Sequence, residues 1–260
     1  MRAGAHDSAP AVELRGVAFR YPDGTPALRG VDLSIAHGES VAIVGANGAG
    51  KSTLLQHFNG LLQPHSGEVR VEGLPVTAVT LPQVRRRLGF VFQDPDDQLF
   101  MPTVADDVAF GPLNLGLDAD TVRARVQAAL DAVDAGALAA RATHRLSGGE
   151  KRAVALAGVL AMEPAIVALD EPTAALDPAG RRRLIELLHR LPLTRIVATH
   201  DLDLVVELCP RVVVLHDGCV VADGAPAALF GDAALLRRCR LEPPLGCPER
   251  PRTAAALEQA

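Results

Sequence analysis

The feature that most constrains this chain is a nine-residue run, Gly45-Ala46-Asn47-Gly48-Ala49-Gly50-Lys51-Ser52-Thr53, placed directly after the uncharged apolar residues 41–44. Glycines at this spacing let successive backbone N–H groups converge on an anion. They do so only when a buried strand ends where the loop begins and a helix starts at the lysine, so that the positive end of the helix dipole faces the same point. Residues 41–44 supply such a strand, and residues 52–58 have the composition of the helix. In that setting Lys51 brings a compact charge to β- and γ-phosphate oxygens, and Ser52 offers its hydroxyl to Mg²⁺. The alternative, a glycine-rich turn with a solvated lysine, needs neither the strand before it nor the helix after it.

Similar short apolar runs recur at residues 166–169, 196–198 and 211–215, and helical patterns such as residues 178–190 alternate with them. This is the signature of parallel strands joined by crossover helices. Upstream, residues 12–20 and 31–35 alternate apolar and polar side chains around the turn Tyr21-Pro22-Asp23-Gly24, which predicts antiparallel strands with one wet face. From about 94 to 162 the strand pattern gives way to helical periodicity. Residues 120–133 show it best, with Val122, Val126, Ala129, Leu130 and Val133 on one face. The expected organisation is a flexible stretch at 1–11, one α/β domain over 12–241 with a helical insertion at about 94–162, and a proline-rich, flexible tail at 242–260.

Composition narrows the partners. With 48% hydrophobic residues, 260 residues bury a substantial core, and a net charge of −5 offers no basic field for nucleic acid. The longest uncharged stretches fall short of the about 18 apolar residues that a membrane-crossing helix needs, and residues 1–10 lack the apolar segment of a secretory signal. A cytoplasmic location is expected. Cysteines 209, 219, 239 and 247 form no paired spacing, and the histidines at 6, 37, 57, 65, 144, 189 and 216 show no metal-ligand pairing, so neither a disulfide framework nor a transition-metal site is predicted. Lys51 and Lys151 are the only lysines among 26 basic residues, which implies a coding bias toward arginine.

A second acidic element, Asp170-Glu171, ends the apolar run 166–169 and so lies at the carboxyl edge of the parallel sheet, where ligands of open α/β sheets bind. Asp170 is placed to hold Mg²⁺ through its water shell, and Glu171 to orient or deprotonate an attacking water. Taken alone, the pair also suits an acidic helix start before Pro172.

With Leu146-Ser147-Gly148-Gly149-Glu150 in view, the chain resembles the ATP-binding subunits of ABC transporters over about residues 12–240, with the family's motifs in the family's order. The resemblance implies a P-loop NTPase of the ABC ATPase type, with a mixed, largely parallel sheet core, an antiparallel β subdomain and a helical subdomain. It places Tyr21 against adenine, Gln93 in the Q-loop as a Mg²⁺ contact, Asp177 in the D-loop and His200 at the switch position. It also implies that Ser147, Gly148 and Gly149, opening a helix that runs to about residue 162, close over the γ-phosphate held by a partner's loop. Because the chain carries one copy of each motif, a homodimer or a heterodimer with a paralogue is required. Three departures stand out: Glu150 replaces the usual glutamine, Ala153 stands where an arginine is frequent, with Arg152 beside it as a substitute, and Gly158 stands in the usual arginine position of the following helix.

The segment 91–100, Val-Phe-Gln-Asp-Pro-Asp-Asp-Gln-Leu-Phe, followed by Pro102-Thr103-Val104 and Asp107-Val108-Ala109-Phe110-Gly111-Pro112, looks like the energy-coupling-factor importers. In that group a short helix after the Q-loop meets a basic coupling helix of a transmembrane scaffold protein. Asp96 and Asp97 suit the charge of that contact, and Leu99 and Phe100 its apolar part, although a solvated acidic loop also fits. Residues 191–195 and 198–204 are more similar to the cobalt and nickel uptake ATPases than to the vitamin ones. The implied protein is a peripheral ATPase on the cytoplasmic face of the cell membrane, using ATP and Mg²⁺ and joined to a scaffold and a substrate-capture membrane protein. A soluble ABC ATPase and a small-molecule P-loop kinase are the rival readings.

Overall fold

A computed structural model describes residues 9–174 and 176–245. The chain begins with β1 (Val12–Arg20), β2 (Pro26–Ile35) and β3 (Ser40–Val44), then α1 (Lys51–Phe58), β4 (Ser66–Val71), β5 (Leu74–Pro75), α2 (Leu81–Arg87) and β6 (Leu88–Val91). Three helices follow, α3 (Val104–Asn114), α4 (Ala119–Ala132) and α5 (Gly148–Leu160). The chain returns to the sheet through β7 (Ile166–Asp170), α6 (Pro178–Arg190), β8 (Thr194–Thr199), α7 (Leu202–Leu208), β9 (Arg211–His216) and β10 (Cys219–Gly224), and ends in α8 (Pro226–Phe230) and α9 (Ala233–Cys239).

The central sheet has the order β10-β9-β3-β8-β7-β6, parallel except for β10 on its edge. Every residue of β3, β6 and β7 is buried, as strands covered on both faces must be. A second, antiparallel sheet has the order β2-β1-β4-β5. Between the two sheets runs α1, whose Leu54, Leu55 and Phe58 sit in a core shared with Leu14, Val17, Leu28, Ile43 and Ile196. The other face of the central sheet packs on Leu156, Leu184, Leu188, Val205 and Leu236. Helices α3, α4 and α5 keep a small core of their own, around Val104, Val108, Leu130, Val154 and Ala157. Phe58 is fully buried at the end of the helix that carries Lys51, so Phe58→Ala is expected to cost about 3–5 kcal/mol, read as a lower midpoint in urea unfolding with unchanged slope.

Several expectations are met closely. α4 spans Ala119–Ala132 where periodicity points to 120–133, with Val122, Ala129 and Leu130 buried and Val126 and Val133 half-buried against the helical core. Others are extended by the structure. β2 starts at Pro26 rather than at 31, because register shifts in the β1–β2 pairing break the simple alternation of its first half. Arg211 joins the two layers: it donates to both oxygens of Glu39 (3.0 and 3.1 Å), to the Ser34 carbonyl (3.0 Å) and to Asp223 (2.8 and 2.6 Å). Hydrogen bonding to Asp223, helped by Glu39, raises its pKa above the ordinary arginine value.

Cys209 and Cys239 are buried free thiols, and burial pushes that of Cys209 up to about 11. Cys247 and His6 lie outside the described residues, as do residues 1–8 and the tail from 246 onward. Residues 242–245 form neither helix nor strand, yet Pro244 is buried and the Leu245 N–H donates to Asp203 Oδ1 at 2.7 Å. No helix among the described residues is long and apolar enough to cross a membrane.

Candidate active site

The loop between β3 and α1 has the conformation its glycines permit. Gly48 and Gly50 take φ of 80° and 104°, and a Cβ on Gly50 would lie 2.6 Å from the Ala27 carbonyl oxygen. Gly45 is needed for a different reason, since a Cβ there would lie 2.4 Å from the Leu215 carbonyl oxygen. Helix α1 starts at Lys51 with Gly50 as its N-cap and no side chain satisfying its first turn, which leaves the N–H donors of that turn for a ligand. Asn47 and Gly48 are exposed, Ala46 is half-buried and Ala49 is buried, its carbonyl accepting from the Gly218 N–H. Lys51 is only 7% exposed, and its Nζ donates to the Gly45 (2.8 Å) and Ala46 (3.4 Å) carbonyls. An ammonium parked on loop carbonyls beside open N–H donors is positioned for an anion.

Facing this loop, β7 delivers Asp170 and Glu171. Glu171 has a left-handed backbone, φ 45°, which costs a non-glycine residue about 1–2 kcal/mol. Its N–H donates to Ala198 O (2.8 Å), and its carbonyl accepts from Ala174 N (3.1 Å) and Arg152 Nη1 (3.0 Å). The buried carboxylate is held as firmly: Thr199 Oγ1 donates to Oε2 at 2.9 Å, His200 Nδ1 lies 2.8 Å from Oε1, and Lys51 Nζ is 3.7 Å from Oε1. The His200 side chain itself remains largely exposed. Glu171, His200 and Lys51, predicted as catalytic from sequence, thus form one cluster, with Thr199 as an unforeseen member.

Asp170 is 3% exposed, and its Oδ1 has no hydrogen-bond partner among the described residues. Burial raises its pKa, the neighbouring Glu171 charge adds to this, and the Ser52 hydroxyl, hydrogen-bonded to it, and Lys51 oppose the rise. An unpaired buried carboxylate oxygen beside a hydroxyl is a hard-oxygen donor set of the kind Mg²⁺ takes, so the residues present fit that ion. Gln93 is exposed and lines the same cleft of about 550 Å³ as Ser52, Asp170, Gly148 and Arg152. No group of three or more His, Cys, Asp or Glu among the described residues is gathered to hold a metal.

Tyr21 lies beside α1: its Oη is 2.8 Å from Thr53 Oγ1, and its ring meets Phe19 edge-on at 5.2 Å. The remaining predicted residues lie elsewhere. Ser147, Gly149, Glu150 and Asp177 line a separate groove of about 740 Å³ with Leu176 and Arg183, while Gly148 alone reaches the cleft of the loop. Ser147 caps α5: Glu150 N donates to its Oγ (3.3 Å) and its own N–H donates to Glu150 Oε2 (2.6 Å). Arg141 binds the other oxygen of Glu150 at 3.1 Å, so this carboxylate is turned back onto the helix start rather than toward a ligand, and its pKa is held below the ordinary range, chiefly by the Ser147 N–H. Asp177 likewise serves as N-cap of α6, accepting from Gly180 N at 2.6 Å.

Several residues in this region make contacts that sequence reasoning did not assign. Lys151 pairs with Asp96 at 2.5 Å, while the Asp96 side chain stays 64% exposed and Asp97 beside it is exposed as well. Leu99, expected on the surface with Phe100, packs inward on the helical core. Phe100 is 62% exposed and stacks edge-on with Phe110 at 4.8 Å beside exposed Leu113. Arg152 is 7% exposed and donates to Glu171 and Gln93 carbonyls, contacts that only the folded chain brings together.

Comparison with known proteins agrees with this geometry. Residues 28–174 match the ABC transporter family model. The energy-coupling factor transporter ATP-binding protein EcfA of Methanocaldococcus jannaschii is 48% identical over 238 residues, covering 90% of this chain and 85% of the relative. The structure of cbiO1 from Clostridium perfringens, described as part of the ABC transporter complex cbiONQ, superposes with a TM-score of 0.76 at 42% identity, covering 88% of this chain and 94% of that one. The ATP-binding cassette MJ0796, solved as a dimer in a post-hydrolysis state with ADP and Pi, superposes with a TM-score of 0.75 at 30% identity, covering 83% of this chain and 98% of that one. A phosphate loop facing a clamped glutamate, on this fold and with these relatives, identifies the chain as an ABC-type ATPase of the ABC transporter family, among the ATP-binding subunits of energy-coupling-factor type.

Proposed function

We propose that this chain is the ATP-hydrolysing subunit of an energy-coupling-factor importer, seated on the cytoplasmic face of the cell membrane and powering uptake of Co²⁺ or Ni²⁺. The observation that carries the hydrolytic part is the buried Glu171, held by Thr199, His200 and Lys51 beside the phosphate loop. The cargo reading rests on the similarity of residues 191–195 and 198–204 to cobalt and nickel uptake ATPases; a vitamin is the alternative cargo. Selection of the transported ion belongs in this reading to the membrane partners.

In the proposed cycle the loop from Gly45 to Thr53 cradles the phosphates, Lys51 moves from its carbonyls onto their oxygens, and Tyr21 stacks on the base. Ser52, Asp170 and Gln93 would hold Mg²⁺, which neutralises charge on the phosphate oxygens when bound. Glu171 takes a proton from water as its oxygen attacks the γ-phosphorus, the bond to the β–γ bridging oxygen breaks, and ADP and phosphate leave. Ser147, Gly148 and Gly149 of one copy close over the nucleotide of the other, a reading supported by Ser147 and Gly149 lining a groove apart from the cleft of their own chain's loop, which Gly148 alone reaches. Closing and reopening then form a two-state element biased by ATP.

The docking surface in this reading is the turn of exposed Asp96 and Asp97 with the aromatic pair Phe100–Phe110. The test is to solubilise membranes of the native host in mild detergent, capture the chain and identify the proteins that accompany it. A multispanning scaffold together with a metal-type capture protein is expected, and Asp97→Lys combined with Phe100→Ala is expected to reduce that recovery about tenfold or more while sparing ATP binding. Recovery only from the soluble fraction would remove the transport reading and favour a soluble ABC ATPase.

A further inference from the structure

Arg152 lies in the second turn of α5 with its guanidinium buried, and its two terminal nitrogens reach different elements: Nη2 donates to the Gln93 carbonyl at 2.7 Å and Nη1 to the Glu171 carbonyl at 3.0 Å. No carboxylate oxygen among the described residues lies within ion-pair distance of it. Burial lowers its pKa, and the more distant charges of Asp94 and Glu171 only oppose the shift. A buried cation satisfied by backbone carbonyls alone is a poor source of stability, because an apolar side chain of similar volume fills the same space without the desolvation cost. The two carbonyls it holds belong to the Q-loop residue and to the glutamate that faces the phosphate loop. The second of these is the residue whose left-handed backbone needs holding.

Arg152 also stands five residues after Ser147 on one unbroken helix, about 7.5 Å along its axis. We propose that Arg152 is a positioning residue that ties the backbone of Glu171 and Gln93 to α5, so that seating Ser147 on the nucleotide of a second copy sets the hydrolytic geometry of this chain's own site. The role rests on the reading, given above, that α5 closes over a partner's phosphate. Ala153, next along the helix, lines the groove on the Ser147 side and makes no such link. The arginine of this helix is therefore useful at 152, where the fold turns it inward between two loops.

The test compares the full-length Arg152→Met and Arg152→Lys proteins with wild type in ATP turnover and thermal unfolding. Arg152→Met is expected to lower kcat about 10- to 100-fold, the loss that a small misplacement of a reacting group produces, with KM within about threefold and Tm unchanged or raised. Arg152→Lys, which keeps a cation and its donors, is expected to recover part of kcat. Unchanged turnover in Arg152→Met would overturn the role. So would failure to fold, or a loss of turnover matched by a higher KM and a lower Tm, since these would make Arg152 a support of the fold only. Should wild type bind ATP without hydrolysing it, the functional reading itself falls and takes this role with it, an outcome distinct from the other two.

Discussion

Replacing Glu171 by glutamine is expected to lower ATP turnover by about 10²- to 10⁴-fold while leaving ATP affinity within about threefold. The side chain keeps its size and its acceptor oxygen, so the Thr199 hydroxyl bond at 2.9 Å survives, but the amide cannot take a proton from water. His200 Nδ1, 2.8 Å from Oε1 in the wild type, keeps or reverses its hydrogen bond according to tautomer, so the cluster stays assembled. Steady-state phosphate release and equilibrium nucleotide titration read the two effects separately. Turnover at the wild-type rate would remove Glu171 from its role. Parallel losses of turnover and binding would mean that the carboxylate acts by holding Lys51, 3.7 Å away, rather than by accepting a proton.

Lys51→Met is expected to act at the binding step and with comparable size. The ammonium is buried and hydrogen-bonded to two loop carbonyls, so it is already desolvated before a phosphate arrives and loses little more on meeting one. Truncating one member of such a buried charged contact costs about 2–5 kcal/mol, which corresponds to about 30-fold to several-thousand-fold in Kd. Without nucleotide the same change leaves the buried Glu171 carboxylate without the cation that lies 3.7 Å away, so Tm is expected to fall. A calorimetric titration with Mg-ATP checks the first effect and a melting curve the second. ATP affinity equal to wild type would show that the backbone N–H groups of the loop suffice alone.

Much of this was legible because the chemistry lies in consecutive residues. Gly45 to Thr53 declares strand, turn and helix in one run, and Asp170-Glu171 ends an apolar run at the sheet edge. His200, Tyr21 and Gln93 were readable only through the resemblance of the whole motif order, since none has a local pattern of its own. Thr199 escaped, and Arg152 was singled out only as a substitute for a missing neighbouring arginine, because their partners lie 28, 19 and 59 residues away in sequence and are joined to them by the sheet and by α5. Among the elements, β10 escaped because none of its six residues is buried, and α2 because Val84 is its one buried residue among arginines. β6 was hidden by Gly89, which is required there because a Cβ would lie 2.2 Å from Val159 Cγ1. The direction of the Glu150 carboxylate also had no local signal. It depends on Arg141, which a long connection brings to the start of α5.

The central claim is that each site is completed by a second copy. The most direct measurement is made on the Glu171→Gln protein, loaded with Mg-ATP, freed of unbound nucleotide by gel filtration, and analysed for mass and bound ATP. The account predicts a species of two chains holding two ATP, and its loss when Ser147→Arg is added, because the obstruction then stands over the partner's phosphate. A single chain that retains its ATP through the column, with or without Ser147→Arg, would contradict it.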